Sequence, residues 1–288
     1  MSGAVVEERH VVAALAGEAD PAFRARAAWL LTRLGVPEGG RLLEVGTGNG
    51  ALLRLAATLA GIRGVGVDND LARLAWARRC GVREGLVAAD ATLLPFRAGS
   101  FATALASEVL EHLGDDVAAL AELRRVVFPG GRLVVSVPHA HYPAAWDPLA
   151  WLLERLGVQP PRRGCYVGIW YGHQRLYTQA QLTDAASVAG WALKEVAVLV
   201  PGAFPFAHFL LYGVGKRLLD AGLVGRRVAT AVSRTAAAAP LPPIWHPVGS
   251  AIRLLRWVDA RACRRAALRP AGRGVHLAAL FTAPSGFA

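Results

Sequence analysis

Lysine is almost missing from this chain: of its 32 basic residues only Lys194 and Lys216 are not arginine. Cysteine is scarce too, with Cys80, Cys165 and Cys263 showing neither a C-x-x-C spacing nor a paired histidine motif. That excludes a zinc-ribbon signature and a disulfide framework, and fits reduced thiols in a cytoplasm. The N-terminal stretch has Glu7 and Glu8 where an export signal would carry lysine or arginine before an apolar core, so it reads as lacking such a signal. One uncharged run, from Val196 to Gly215, is long enough for a membrane span. It contains Pro201, Pro205 and His208 and begins with strand-like residues, so it does not read as a spanning helix. Acidic residues are nearly absent from the last third. Residues 201–288 hold 12 basic and 2 acidic residues, against 20 and 19 in residues 1–200.

What is present is a long apolar chain. Its 288 residues, 54% of them hydrophobic, suffice for one large core or for a domain with an insertion. The charge split divides it: residues 1–200 have the balance of an ordinary enzyme domain, and the excess charge belongs to residues 201–288.

Within the first part, strand and helix patterns alternate. A helix over 21–34 is closed by Gly35, and "RLLEVG" is a strand that runs into Gly46, Gly48 and Gly50. "ALLRLAATLA", "LARLAWARRC" and "DVAALAELRRVV" read as helices, and "GVGVD", "GLVAAD", "SFATALAS" and "GRLVVSVP" as strands. This alternation predicts a doubly wound, Rossmann-like α/β sheet with helices on both faces and ligands beyond the carboxyl ends of its strands. A capping box, Thr178 with Gln181, starts one more helix that Gly190 stops. "WALKEVAVLV" supplies a sixth strand, and "GVHLAALFTAP" at 274–284 a seventh.

Glycines between a strand and a helix let the backbone approach a ligand and leave helix N-terminal amides free for a carboxylate or phosphate. Read as G-x-G-x-x-A, residues 46–51 also satisfy a loose dinucleotide fingerprint, and Asp68 at the next strand end suits a ribose in either case. The glycines alone do not choose between nicotinamide chemistry and methyl transfer.

Further motifs come in order along the chain: Glu44 before the glycines, Asp90-Ala91 after the third strand, "SEVLEHL" from Ser107 after the fourth and "FPGGRLVVSVP" leading into the fifth. Together they resemble the class I S-adenosylmethionine-dependent methyltransferases, in particular the type 11 small-molecule group that includes quinone and sterol methyltransferases. The resemblance covers about residues 36–200 and resumes at the end; Ala102 departs from it, standing where such proteins often carry an acidic residue. It implies a seven-stranded, mostly parallel sheet whose last strand is antiparallel, and S-adenosyl-L-methionine as cofactor. It also implies that Gly46, Gly48 and Gly50 wrap the methionine part, with Glu44 placing its ammonium. Asp68 would accept both ribose hydroxyls, Asp90 and the Ala91 amide would meet the adenine, and Ser107 would lie near the sulfonium. His112 is read as packing, and no metal is expected.

For a proton-accepting base, His139, directly after the fifth strand, is the first choice; His173, His141 and Tyr142 are weaker ones. Trp146, Trp151, Tyr166, Trp170 and Tyr171 crowd the same region and suit a flat or greasy acceptor, although core packing accounts for about half of them. Residues 1–200, continued by 271–288, thus form the core, and 201–270 a basic, apolar helical insertion. On a helix over 249–269, Leu255, Val258, Ala262 and Ala266 share one face while Arg253, Arg256, Arg261 and Arg264 fall opposite with Trp257. Such a helix suits a membrane interface with anionic headgroups, which makes a lipid or isoprenoid-like acceptor and a peripheral place on the inner membrane face the leading expectation. Two alternatives stay open: an RNA methyltransferase using the basic insertion, disfavoured because the segment is apolar, and a soluble enzyme whose insertion is structural or dimerising. The oligomeric state is not legible.

Overall fold

The computed structural model describes residues 3–4, 6–16, 18, 20–83, 85–162, 168–202 and 272–285, with part of the span 250–264. Seven strands form one sheet: β1 Leu42–Val45, β2 Gly64–Asp68, β3 Gly85–Ala88, β4 Phe101–Ser107, β5 Val127–Pro138, β6 Ala192–Leu199 and β7 His276–Thr282. Their order is β3-β2-β1-β4-β5-β7-β6. β1 to β5 pair in parallel, whereas β7 runs antiparallel to both β5 and β6. The expected sheet is therefore present, its antiparallel last strand inserted between β5 and β6. A separate two-stranded ribbon pairs Gly3–Ala4 with Val36–Pro37.

Helices α1 Glu8–Ala14, α2 Pro21–Thr32, α3 Ala51–Ala60, α4 Leu71–Arg79, α5 Asp116–Val126, α6 Pro148–Arg155 and α7 Gln179–Val188 complete the fold. Their starts are locally encoded. The side chains of Asp20, Asp70, Asp115 and Asp147 accept backbone N–H bonds at four of them, and Thr178 and Gln181 make the expected capping box at α7.

Alternation along the strands fills two cores. Leu43, Val45, Ala104, Ala106, Leu133 and Val135 pack with Leu120 and Leu123 of α5 and Leu182 and Ala186 of α7. Their neighbours Leu42, Leu105 and Val134 face the other way, onto Leu30 and Leu31 of α2 and Leu52 and Leu53 of α3. Both faces of the sheet are thus covered, the condition under which parallel strands read as continuous apolar runs.

The chain leaves β1 toward β2 and β3 on one side and returns through β4 on the other. The strand order reverses between β1 and β4, which opens a crevice at their carboxyl ends. Register aligns those ends: Val45 pairs with Val67 and Ala106, and Ser107 with Ser136.

Of the aromatic region, Tyr142 and Trp146 are buried in a small third core with Ile169, Leu176 and Val275, against which Trp151 and Trp170 pack. Tyr171 is exposed, and Tyr166 lies outside the described residues. Most of these rings are accordingly packing. Of the insertion, the structure describes Pro201, Gly202 and helical positions within 250–264. There the Arg256 guanidinium donates to the Leu15 carbonyl at 3.3 Å, while Trp257 is exposed and stacks with Arg261. Burial, with Arg24 nearby, pushes Arg256 down to about 10. The expected opposition of faces is thus incomplete: at least Arg256 is turned onto the domain. Among the described residues, no helix is long and apolar enough to cross a membrane.

Candidate functional site

The crevice between β1 and β4 is a cleft of about 700 Å³. Glu44, Gly46, Thr47 and Gly48 line it from the end of β1, Ser107 and Glu108 from the end of β4, Arg73, Trp76 and Arg79 from α4, and Phe23 and Arg26 from α2. All three glycines have positive φ, but they do different things. A Cβ on Gly46 would strike Val109 Cγ2 at 2.2 Å, and one on Gly50 Val82 Cγ2 at 2.3 Å, so these two are required by close packing as well as by the turn. A Cβ on Gly48 would meet only a backbone oxygen at 4.0 Å. Gly48 is therefore open toward the cleft, leaving room for a ligand against the backbone.

Glu44 is buried at the floor of this turn, 3% exposed. Its Oε2 accepts a bond from the Thr47 hydroxyl at 2.6 Å. Burial pushes its carboxyl up to about 8, an effect that Thr47 opposes and the neighbouring Asp68 reinforces. A carboxylate held out of water without a cation is poised to take one, and a bound ammonium would restore its charge. Asp68, also buried, accepts from the Gly48 amide at 2.9 Å and from the Asp70 amide at 3.0 Å. Each of its oxygens keeps further acceptor capacity. Asp68 thus holds the glycine loop in shape and offers two acceptors at the end of β2. The residues present fit S-adenosylmethionine: an acid for an ammonium, a bare backbone for the methionine chain and a pair of acceptor oxygens for a diol.

The other expected residues are more scattered. Ser107 is on the cleft wall, its hydroxyl 2.9 Å from that of Ser136. Asp90 is exposed, and its Oδ1 accepts from the Thr92 amide and hydroxyl, which lower its carboxyl below the usual range; this tight turn accounts for it without a ligand. Ala91 packs into the core below. His139 is buried, forms an isolated bridge with Tyr177 and stands off the cleft lining; burial and His141 bring it down to about 4. His173 is likewise lowered to about 4 by burial and lies 3.9 Å from Glu111. His112 is on a 3₁₀ turn, Leu110–His112, with its ring against that of His173.

A charged group at the cleft was not read from the sequence. Glu108 has a positive φ of 58°, and its Oε2 lies 2.9 Å from His276 Nε2 and 3.7 Å from the Arg26 guanidinium. Burial opposes ionisation of Glu108, yet Arg26 and His276 outweigh it and hold the carboxyl well below the ordinary range. Arg26 comes from α2 and His276 from β7, 250 positions apart; only the place of Glu108 inside "SEVLEHL" signalled it.

The state of Glu44 is testable without a ligand. In the unfolded chain this group releases its proton near 4.5, in the folded chain near 8, so stability is full below 4.5 and falls as pH rises toward 8. Glu44→Gln is expected to flatten this dependence and to raise the stability of the ligand-free protein at pH 8 by on the order of a few kcal/mol. Denaturant melts of both proteins at pH 5 and 8 check it, and an unchanged pH dependence would contradict it.

Residues 43–135 match the family model described as "Methyltransferase domain". The chain is 39% identical over 108 residues to the demethylmenaquinone methyltransferase of Beutenbergia cavernae, a match spanning 37% of this chain and 44% of that protein. It is 41% identical over 100 residues to that of Thermus thermophilus, 33% of this chain and 46% of the relative. The chain thus spans less than half the length of these curated relatives. Among solved structures, the [4+2]-cyclase SpnF superposes with a TM-score of 0.52 at 19% identity, over 90% of this chain and 81% of that one. The geranyl diphosphate C-methyltransferase of Streptomyces coelicolor does so with a TM-score of 0.51 at 13% identity, over 90% and 80%. Strand order, glycine turn and sequence match agree: residues 43–135 are a methyltransferase domain, set in the fold of the class I S-adenosylmethionine-dependent methyltransferases.

Proposed function

We propose that the protein transfers a methyl group from S-adenosylmethionine to a small hydrophobic acceptor of the quinone or isoprenoid kind. The observation that carries the cofactor is the buried Glu44 beside the open backbone at Gly48, at the point where the strand order reverses. The acceptor class is supported by the names of the demethylmenaquinone methyltransferases that the domain resembles.

Bound S-adenosylmethionine supplies a methyl group made electrophilic by its sulfonium. The chain must place it, align the acceptor and keep water out. Orientation of this sort contributes roughly 7–11 kcal/mol in favourable model systems. Glu44 holds the ammonium, the backbone of Gly46 and Gly48 the methionine chain, and Asp68 the ribose. Gly50 opens α3, Ser107 borders the reacting end, and Asp90 with the Ala91 amide takes the adenine edge. His139 and His173, which burial keeps neutral at physiological pH, have the protonation state a base needs. In an assay with methyl-labelled cofactor and a demethylated quinol, label is expected in the organic extract. Removal of whichever histidine is the base lowers turnover about a hundredfold at unchanged cofactor affinity; full rates for both His139→Ala and His173→Ala would discard both.

The insertion, with its arginine-rich composition, is proposed to hold the protein at an anionic membrane surface, where each basic residue near the headgroups adds about 1 kcal/mol. The Arg256 contact to Leu15 favours a second role, in which part of the insertion packs on the domain. Co-sedimentation with anionic and neutral vesicles separates them. Binding confined to anionic vesicles, and lost when residues 203–269 are replaced by a short linker, supports the membrane role; no binding to either contradicts it.

A further inference from the structure

Three residues that the cofactor does not use converge beside the cleft. Glu111 is fully buried, and neither of its carboxylate oxygens has a hydrogen-bond partner. His112 Nε2 and His173 Nε2 each lie 3.9 Å from its Oε1, and the three ligand atoms fall within 4.8 Å of one another. Among the described residues this is the one such grouping of three histidine, cysteine or acidic side chains.

A buried acid that carried its own proton would be expected to donate it to a neighbouring oxygen, as buried polar groups do in the great majority of cases. Glu111 has no such partner, and burial, with Glu108 nearby, holds its carboxyl well above the ordinary range until a cation offsets the charge. His112 is turned to suit a cation instead, and His173, whose Nδ1 is buried without a partner, stands beside it. His112 Nδ1 lies 3.0 Å from the Gly172 carbonyl; a carbonyl only accepts, so Nδ1 bears the hydrogen and the Nε2 lone pair is left on the side of Glu111. This is the outer bond that fixes ring and tautomer in metal-ligating histidines. The Gln174 amide donates to the Glu111 carbonyl at 2.8 Å and the Gln174 side chain to the His112 carbonyl at 2.9 Å, which holds the two segments in register. Glu108, one residue past β4 and engaged by His276, adds negative charge nearby; Arg26 opposes it from α2.

We propose that Glu111, His112 and His173 form a binding site for a divalent first-row transition-metal ion. One carboxylate and two imidazoles suit Zn²⁺, Mn²⁺ or Co²⁺, whereas Mg²⁺ and Ca²⁺ favour oxygen alone. An ion bonds such donors at about 2.0–2.2 Å, so binding draws the three groups together; His112, 43% exposed at its side chain, has room to swing in. Three protein ligands leave positions for water, as in open metal sites. The carrying turn starts just beyond Glu108, which lines the cleft. The ion therefore adds positive charge beside the cleft. His112, expected from sequence to be mere packing in a metal-free protein, becomes a ligand, and so does His173, which leaves His139 as the candidate base.

The test is calorimetric titration of the chelator-treated full chain with ZnCl₂ and MnCl₂, together with the visible spectrum on adding Co²⁺. One ion per chain is expected, with affinity reduced at least about a hundredfold in Glu111→Gln and His173→Ala and unchanged in His10→Ala, a surface histidine elsewhere. Circular dichroism before metal addition reports folding. Should a buried-site variant fail to fold, His112→Ala, at a half-exposed position, carries the same expectation. Binding by wild type no tighter than by the folded variants, or none at all, overturns the site. Binding of S-adenosylmethionine is read in a separate titration, so failure of the metal site leaves the methyltransferase reading standing.

Discussion

A carboxylate buried without a cation is the constraint around which this domain is arranged. Glu44 sits near the end of β1, flanked by β2 and β4, and the backbone after it turns through glycines rather than filling the space above. Burial makes its charge costly until something positive arrives. The surroundings supply neutral donors, the Thr47 hydroxyl and the Leu53 amide, and a second acid, Asp68, which is itself tied to the Gly48 amide. A protein core shaped for stability alone would have put an apolar residue here. Strand order places this unpaired acid at the switch point, and the helices on both faces hold the strand ends that frame it.

Much of this was legible because its causes are local. Glycine at positive φ, aspartate and threonine at helix starts, and apolar runs bounded by turns all leave marks within a few residues, so seven strands and helices α2, α3, α4, α5 and α7 could be placed from the chain alone, whereas α1 and α6 were not read. Glu44, Gly46, Gly48 and Asp68 were legible for the same reason, each being fixed by the strand it ends or adjoins. The antiparallel seventh strand came from resemblance, since no local pattern says between which strands it inserts.

The features that could not be read are made of long-range contact. Arg26, Glu108 and His276 meet from α2, the end of β4 and the start of β7, and nothing near any one of them announces the other two. His173 meets the adjacent Glu111 and His112 across some sixty residues of chain. The resemblance made His112 packing, and only the fold brings His173 up to it. In the aromatic segment, read from composition as suiting a flat or greasy acceptor with about half of it packing, Trp146 joins Tyr142 in a core of its own.

Whether Glu44, the glycine turn and Asp68 form an S-adenosylmethionine site is tested most directly by calorimetric titration of S-adenosylmethionine into wild type and into Asp68→Ala, with circular dichroism confirming the fold of each. Two hydrogen bonds to a charged acceptor are worth about 1.5–3 kcal/mol each. One site per chain is therefore predicted in wild type, with affinity at least about a hundredfold weaker in the variant. Equal affinity in the two proteins, or no binding by wild type, would contradict such a site.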